Sequence, residues 1–179
     1  RFDEDKLNIR CYDDEIEEPN VNDVDYIAKV KVLEAYNKIH KPCIALDSGF
    51  YIEEYPNDPG FPGAFVNRNL LNKMTLEELL NNMKDVPNRN CYFKECLAYY
   101  DGNEIKYFYG YTYGKLSYEV RGNKNKKSWS DLWMVFIPKN YDITMGEMTD
   151  EEIYNRKDEH TCSLDAFAKW INSKENYNE

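Results

Sequence analysis

The feature that most limits how this chain can fold is a short apolar run, Pro42-Cys43-Ile44-Ala45-Leu46, that stops at Asp47-Ser48-Gly49 before Phe50. An apolar run of this length without alternation reads as a strand covered on both faces, and such strands belong to sheets layered with helices. The flanking sequence agrees. Upstream, Asn22-Asp23 has the form of a helix cap, and Val24, Ala28, Val32, Ala35 and Ile39 recur at helical spacing up to His40. Downstream, Pro56, Pro59, Gly60, Pro62 and Gly63 crowd together, which predicts a shaped loop without regular structure.

Ligands gather outside the carboxyl ends of strands in open α/β sheets, so the carboxylate that ends the run, Asp47, is the first candidate for chemistry. The same Asp-Ser-Gly triplet also suits a turn between two strands.

The remaining pattern is that of one α/β domain covering residues 1–179. Thr75-Leu76-Glu77-Glu78 and Thr149-Asp150-Glu151-Glu152 match the capping box, so a helix is expected through Leu79, Leu80 and Met83 and another after Thr149. Residues 91–100 and 104–111 alternate as strands around an Asp101-Gly102-Asn103 hairpin signal. Residues 114–120 read as a third strand and 129–138 as a core strand. Ser163 opens a terminal helix carrying Leu164, Phe167, Ala168 and Ile171, with fraying expected from Asn172. Near the start, Leu7-Asn8-Ile9-Arg10-Cys11-Tyr12 is strand-like within an acid-rich stretch that reads as a solvated face.

Charge narrows the partners. A net charge of -10 argues against a nucleic-acid duplex, which needs a basic face, yet admits a small anion where a metal or local lysines and arginines supply positive charge. The single basic cluster, Arg121-Gly122-Asn123-Lys124-Asn125-Lys126-Lys127, reads as an exposed turn. Five cysteines without a C-x-x-C pair fit neither a disulfide frame nor a zinc ribbon and suit a reducing, cytoplasmic setting. No run approaches the roughly 18 apolar residues of a membrane span.

Taken in order, these pieces resemble the inosine triphosphate pyrophosphatase family, the XTP/dITP diphosphatases, from about Glu18 to Phe167. The likeness rests on Glu18 ahead of the Ile27-Ala28 helix with Lys31, then Asp47-Ser48-Gly49, then Pro62-Gly63 before Phe65 and Arg68. It continues with Phe108-Tyr109-Gly110, Gly114-Lys115-Leu116, Arg121-Gly122, Phe136-Ile137-Pro138, Gly146-Glu147-Met148 and His160. The resemblance implies an elongated mixed central sheet flanked by helices in two lobes, a nucleotide cleft between them, and a homodimer. It implies hydrolysis of a nucleoside triphosphate to the monophosphate and pyrophosphate with Mg²⁺.

On this reading Glu18 and Asp47 are the catalytic and metal-binding carboxylates, since Mg²⁺ prefers one or two carboxylates with waters and phosphate oxygens. Lys31 and Arg68 would neutralise phosphates, and Ser48, Gly49, Pro62, Gly63, Trp133 and His160 would line the substrate. The bland readings stand beside these: a surface lysine at 31 and a surface histidine at 160. The family's Thr-Gly-Asn-x-x-Lys loop has no counterpart here, and would lie upstream of Arg1 or be lacking. Its base-reading Phe-Gly-Tyr/Trp-Asp-Pro segment aligns with Ser130-Asp131-Leu132-Trp133-Met134, so Trp133 replaces the Asp, and a family Lys falls on Ile153. Altered base preference is therefore expected. The rival readings are a nucleotide-binding sensor or inhibitor module without turnover, and a protein-interaction role for the acidic, tyrosine-rich surface.

Overall fold

The computed structural model describes residues 9–124, 128 and 130–175. The expectations for Leu7, Asn8, Asn125, Lys126, Lys127 and Trp129 fall outside that set. The elements, in order, are α1 (Val24–Ile39), β1 (Cys43–Ile52), β2 (Pro62–Gly63), α2 (Leu76–Asn82), β3 (Asn90–Tyr100), β4 (Ile105–Leu116), β5 (Phe136–Pro138), α3 (Asp150–Tyr154) and α4 (Ser163–Glu175). The five strands form one sheet in the order β2-β1-β3-β4-β5, and both edge pairs are antiparallel.

Packing divides the chain into two units. One comprises Arg1–Ser48, Glu95–Gly110 and Thr161–Glu179, and the other Gly49–Lys94 and Tyr111–His160.

In the first unit, the Asp23 carboxylate accepts hydrogen bonds from the backbone N–H of Asp25 (2.9 Å) and Tyr26 (3.3 Å), which starts α1 as its sequence predicts. The buried stripe is Val24, Ile27, Ala28, Val32 and Ala35; Ile39, expected to continue it, is 37% exposed where the helix ends at a left-handed His40. The hairpin joining β3 to β4 turns at Gly102, whose φ of +98° an L side chain rarely adopts. Phe167 and Trp170 of α4 cover Leu97, Tyr99 and Phe108 of that hairpin. Contrary to expectation, α4 runs through Asn172 to Glu175, and residues 9–12 form no strand.

The second unit holds the larger core, in which Phe50, Ile52, Phe93 and Phe136 meet Leu79 and Leu80 of α2 and Met83, the residue that caps it. The rings of Phe50 and Phe93 lie 4.7 Å apart and those of Phe93 and Phe136 4.9 Å apart. Burying each such side chain contributes roughly 1.5–3 kcal/mol. Both capping boxes form as read: Thr75 and Glu78 close the start of α2, and Thr149 and Glu152 that of α3.

Four strand expectations need correction. The apolar run neither stops at Asp47 nor is covered throughout: β1 continues to Ile52, and Leu46 is 49% exposed. Ladder pairing carries the strand past the triplet, because β2 pairs with it at Phe50↔Gly63 and Tyr51↔Pro62. A Cβ on Gly49 would stand 2.7 Å from the Gly63 carbonyl oxygen, so glycine is what permits that approach. Pro62-Gly63 consequently joins the sheet at an edge, where proline's missing N–H is harmless. Residues 114–116 complete β4 instead of opening a third strand, and residues 131–134 form a 3₁₀ turn before β5. Ser130 Oγ accepts from the Leu132 N–H (3.2 Å) and caps that turn.

Candidate active site

Lys31 lies on the flank of the buried α1 stripe, three or four residues from Ile27, Ala28 and Ala35. That position leaves its side chain 23% exposed, and the four-carbon stem carries the ammonium across to β1. There Nζ donates to Asp47 Oδ1 (3.4 Å) and the Leu46 carbonyl (3.3 Å). It also donates to Glu18 Oε1 (3.2 Å), on the irregular segment ahead of the helix. The Lys38 ammonium, bonded to the Glu15 carbonyl (3.1 Å), ties that segment to the far end of the same helix. Two carboxylates distant in sequence thus converge on one cation.

The two acids differ in setting. Glu18 is half-exposed, whereas the Asp47 side chain is only 13% exposed and its Oδ2 is buried with no hydrogen-bond partner among the described residues. Burial pushes the Asp47 carboxyl up to about 6 from its ordinary 3.8, against the lowering effect of Lys31 and with a smaller upward push from Glu18. A buried, unsatisfied carboxylate oxygen is unfavourable to the fold and marks a place where a ligand atom is wanted. Among the described residues no group of three or more His, Cys, Asp or Glu side chains is close enough to hold a metal. Two carboxylates alone are still the donor set that suits Mg²⁺, which keeps waters and uses phosphate oxygens for the rest.

Ser48 is exposed and, by the two-residue period of β1, points to the face opposite Asp47. In the second unit Gly49, Pro62 and Gly63 are buried in the β1–β2 ladder, and Asn69 Nδ2 donates to the Pro62 carbonyl (3.0 Å). Arg68 is exposed on a π-helical turn, Asn67–Leu71, with its guanidinium 3.6 Å from the centre of the Phe65 ring. Trp133 is packed in the core at 5% exposure and offers no face for stacking on a base. His160 is exposed; its Nδ1 meets Asp158 Oδ1 at 2.5 Å, while Asp158 Oδ2, on a fully buried side chain, accepts from Arg156 Nε at 2.6 Å.

Sequence reasoning missed that Asp158 anchor and the Leu46 carbonyl. The Asp158-x-His160 spacing was a signal for the first, as a short polar side chain two residues ahead commonly holds its neighbour; nothing in the sequence marks a backbone oxygen. Two cavities in the second unit, of about 550 and 460 Å³, include Arg89, Lys115 and Arg121 in the lining of one and Tyr113, Lys139 and Glu159 in that of the other. Both are lined in part by residues of the family likeness, Lys115 and Ile137 among them, but neither by any of the predicted catalytic, metal-binding or substrate-binding residues. Volume alone would point there, but the convergent charges and the orphaned oxygen of Asp47 make the Glu18–Lys31–Asp47 cluster the stronger candidate.

The Ham1 family model matches residues 2–170. Among curated proteins, the dITP/XTP pyrophosphatase of Saccharolobus solfataricus is 31% identical over 158 residues, covering 88% of this chain and 76% of that one. The dITP/XTP pyrophosphatase of Thermococcus kodakarensis is 32% identical over 139 residues, covering 78% and 69%. The fold is similar to that of the Staphylococcus aureus Ham1 protein, with a TM-score of 0.73 at 21% identity over 90% of this chain and 82% of the other. It is also similar to a HAM1 protein from Coxiella burnetii, at 0.71 and 20% over 89% and 81%.

Proposed function

The chain belongs to the Ham1 family, and from that premise we propose that it is a nucleoside triphosphate pyrophosphatase acting on modified or deaminated purine nucleotides. The reaction is hydrolysis between the α and β phosphates, giving the monophosphate and pyrophosphate. The observation that carries this reading is the pairing of Glu18 and Asp47 around Lys31, with a buried Asp47 oxygen that has no donor among the described residues.

Glu18 and Asp47 would hold a magnesium ion. When bound, that ion supplies the charge that orients the triphosphate and polarises the α phosphorus. Asp47, fixed on a regular strand, is the rigid member of the pair. Glu18, half-exposed, keeps lone pairs with which to orient the attacking water. Lys31 and Arg68 would neutralise phosphate oxygens, Arg68 from a side chain already aligned by Phe65. Base preference departs from that of a family whose reader at this point is an Asp, because Trp133 is packed into the core. The five cysteines form no disulfide, which suits a cytoplasmic enzyme.

The test is incubation with ITP, dITP, XTP and dUTP plus Mg²⁺, reading pyrophosphate. Release from at least one, lowered about 100-fold or more by Glu18→Gln or Asp47→Asn, is the expected result. A folded sample that releases none from any of them overturns the proposal. Tight nucleotide binding without release would favour a sensor or inhibitor module instead, a reading to which the buried Trp133 lends some support.

A further inference from the structure

The Lys31 ammonium has three N–H donors, and each has an acceptor: Glu18 Oε1, Asp47 Oδ1 and the Leu46 carbonyl, at 3.2, 3.4 and 3.3 Å. Two carboxylates and a backbone carbonyl are also the oxygens that a hard divalent cation takes. The cluster is therefore built around a cation, and the cation present is a side chain of the protein itself. We propose that Lys31 is a resident counter-ion of the Glu18–Asp47 pair, which a divalent ion must displace on entry and whose ammonium is thereby released to an anionic substrate. This rests on the reading of Glu18 and Asp47 as the metal-holding carboxylates.

The geometry makes such an exchange feasible with one moving part. Asp47 and Leu46 sit within β1, whose ladder fixes their positions. Lys31 hangs on a flexible stem and is partly exposed, so it has a way out to solvent. An ammonium and a divalent ion cannot share the same oxygens, because like charges at contact distance repel strongly once partly removed from water. As long as Lys31 stays, the acids are compensated and the site binds a free ion weakly. Once a metal replaces it, the lysine charge is left without its carboxylates and next to a site that receives phosphates. Metal and triphosphate then favour one another, since linkage between two binding events is reciprocal. An enzyme so arranged takes up its ion together with the nucleotide and is not loaded beforehand.

Isothermal titration of the nucleotide-free, full-length chain with Mg²⁺ and Mn²⁺ tests this. Alkaline buffer keeps Asp47 ionised whether or not its lysine is present. Lys31→Met and Lys31→Gln are expected to bind either ion at least about tenfold more tightly than the unaltered protein, because a neighbouring positive charge has been removed. Lys31→Arg keeps the charge and is expected to show no such gain. Thermal unfolding of each variant confirms that a folded protein is titrated, and the two neutral variants guard against failure of one. Equal or weaker affinity in both neutral variants, with the unaltered protein binding metal, overturns the exchange and leaves the proposed enzyme standing. Absence of binding to every form at millimolar ion overturns the metal reading itself.

Discussion

Asp47→Asn is expected to stabilise the metal-free protein at neutral pH. In the folded chain burial raises the carboxyl from 3.8 to about 6, so the ionised form is disfavoured there relative to the unfolded chain. Between the two values the folded state binds more protons than the unfolded one, so stability falls as pH rises from about 4 to about 6. Above that window the full penalty is present; below it, none. A displacement of that size corresponds to about 3 kcal/mol, and the side chain is too little exposed for solvent to screen much of it. The opposing pull of Lys31 is already contained in the net value. Asparagine carries no charge to desolvate, and it leaves a buried polar atom where the carboxylate left one. In chelator at pH 7, Asp47→Asn should therefore unfold about 2–3 kcal/mol later, or roughly 4–12 °C higher for a chain of this length. The difference should shrink by about half near pH 5 and vanish near pH 3. Thermal and urea unfolding across that range reads it directly. A variant that unfolds at or below the original temperature at pH 7, or a gap independent of pH, would refute the reasoning.

Two further expectations concern the scaffold. Arg89, 6% exposed, donates to the carbonyls of Leu116 (3.1 Å), Met83 (2.9 Å) and Ser117 (2.6 Å), so Arg89→Met should lower the unfolding free energy by roughly 2–4 kcal/mol in urea. Arg89→Lys should recover little, since one ammonium cannot span three diverging acceptors. Asp101 Oδ1 accepts from the N–H groups of Asn103 (2.9 Å) and Glu104 (2.8 Å), and those bonds hold its carboxyl below the ordinary range. Its contribution is present above the unfolded value and lost as pH falls through the folded one, so Asp101→Ala should be about 1 kcal/mol less stable at neutral pH and indistinguishable in strong acid by chemical denaturation.

Local chemistry made part of this fold legible. Asp23, Thr75 and Thr149 each start the helix expected of them, because a cap depends on neighbours two or three residues away. The hairpin at Gly102 was readable for the same reason. What pattern reading missed depends on partners distant in sequence. Asp47-Ser48-Gly49 has the composition of a turn, yet pairing with Pro62-Gly63 keeps it extended. Gly114 read as a strand start, but it lies inside β4 opposite Pro138, where a Cβ would collide with Phe136. Asp47 stood out at the end of the apolar run, but Glu18 and Lys31 joined it only through a family resemblance, and only the folded chain shows that one ammonium reaches both acids. The same resemblance put Trp133 at a base-reading position, while its size and apolarity buried it in the core.

Neither packing unit is a continuous stretch of sequence. One is assembled from three stretches and the other from two, and the strands β1, β3 and β4 each pass from one to the other. Any cut between residues 49 and 160 divides at least one of the two units between the fragments, so neither unit can be excised as a single run of sequence. A fragment that ends inside β1, β3 or β4 therefore strands part of each unit's sheet, and an added segment is accommodated most easily at the loops between strands.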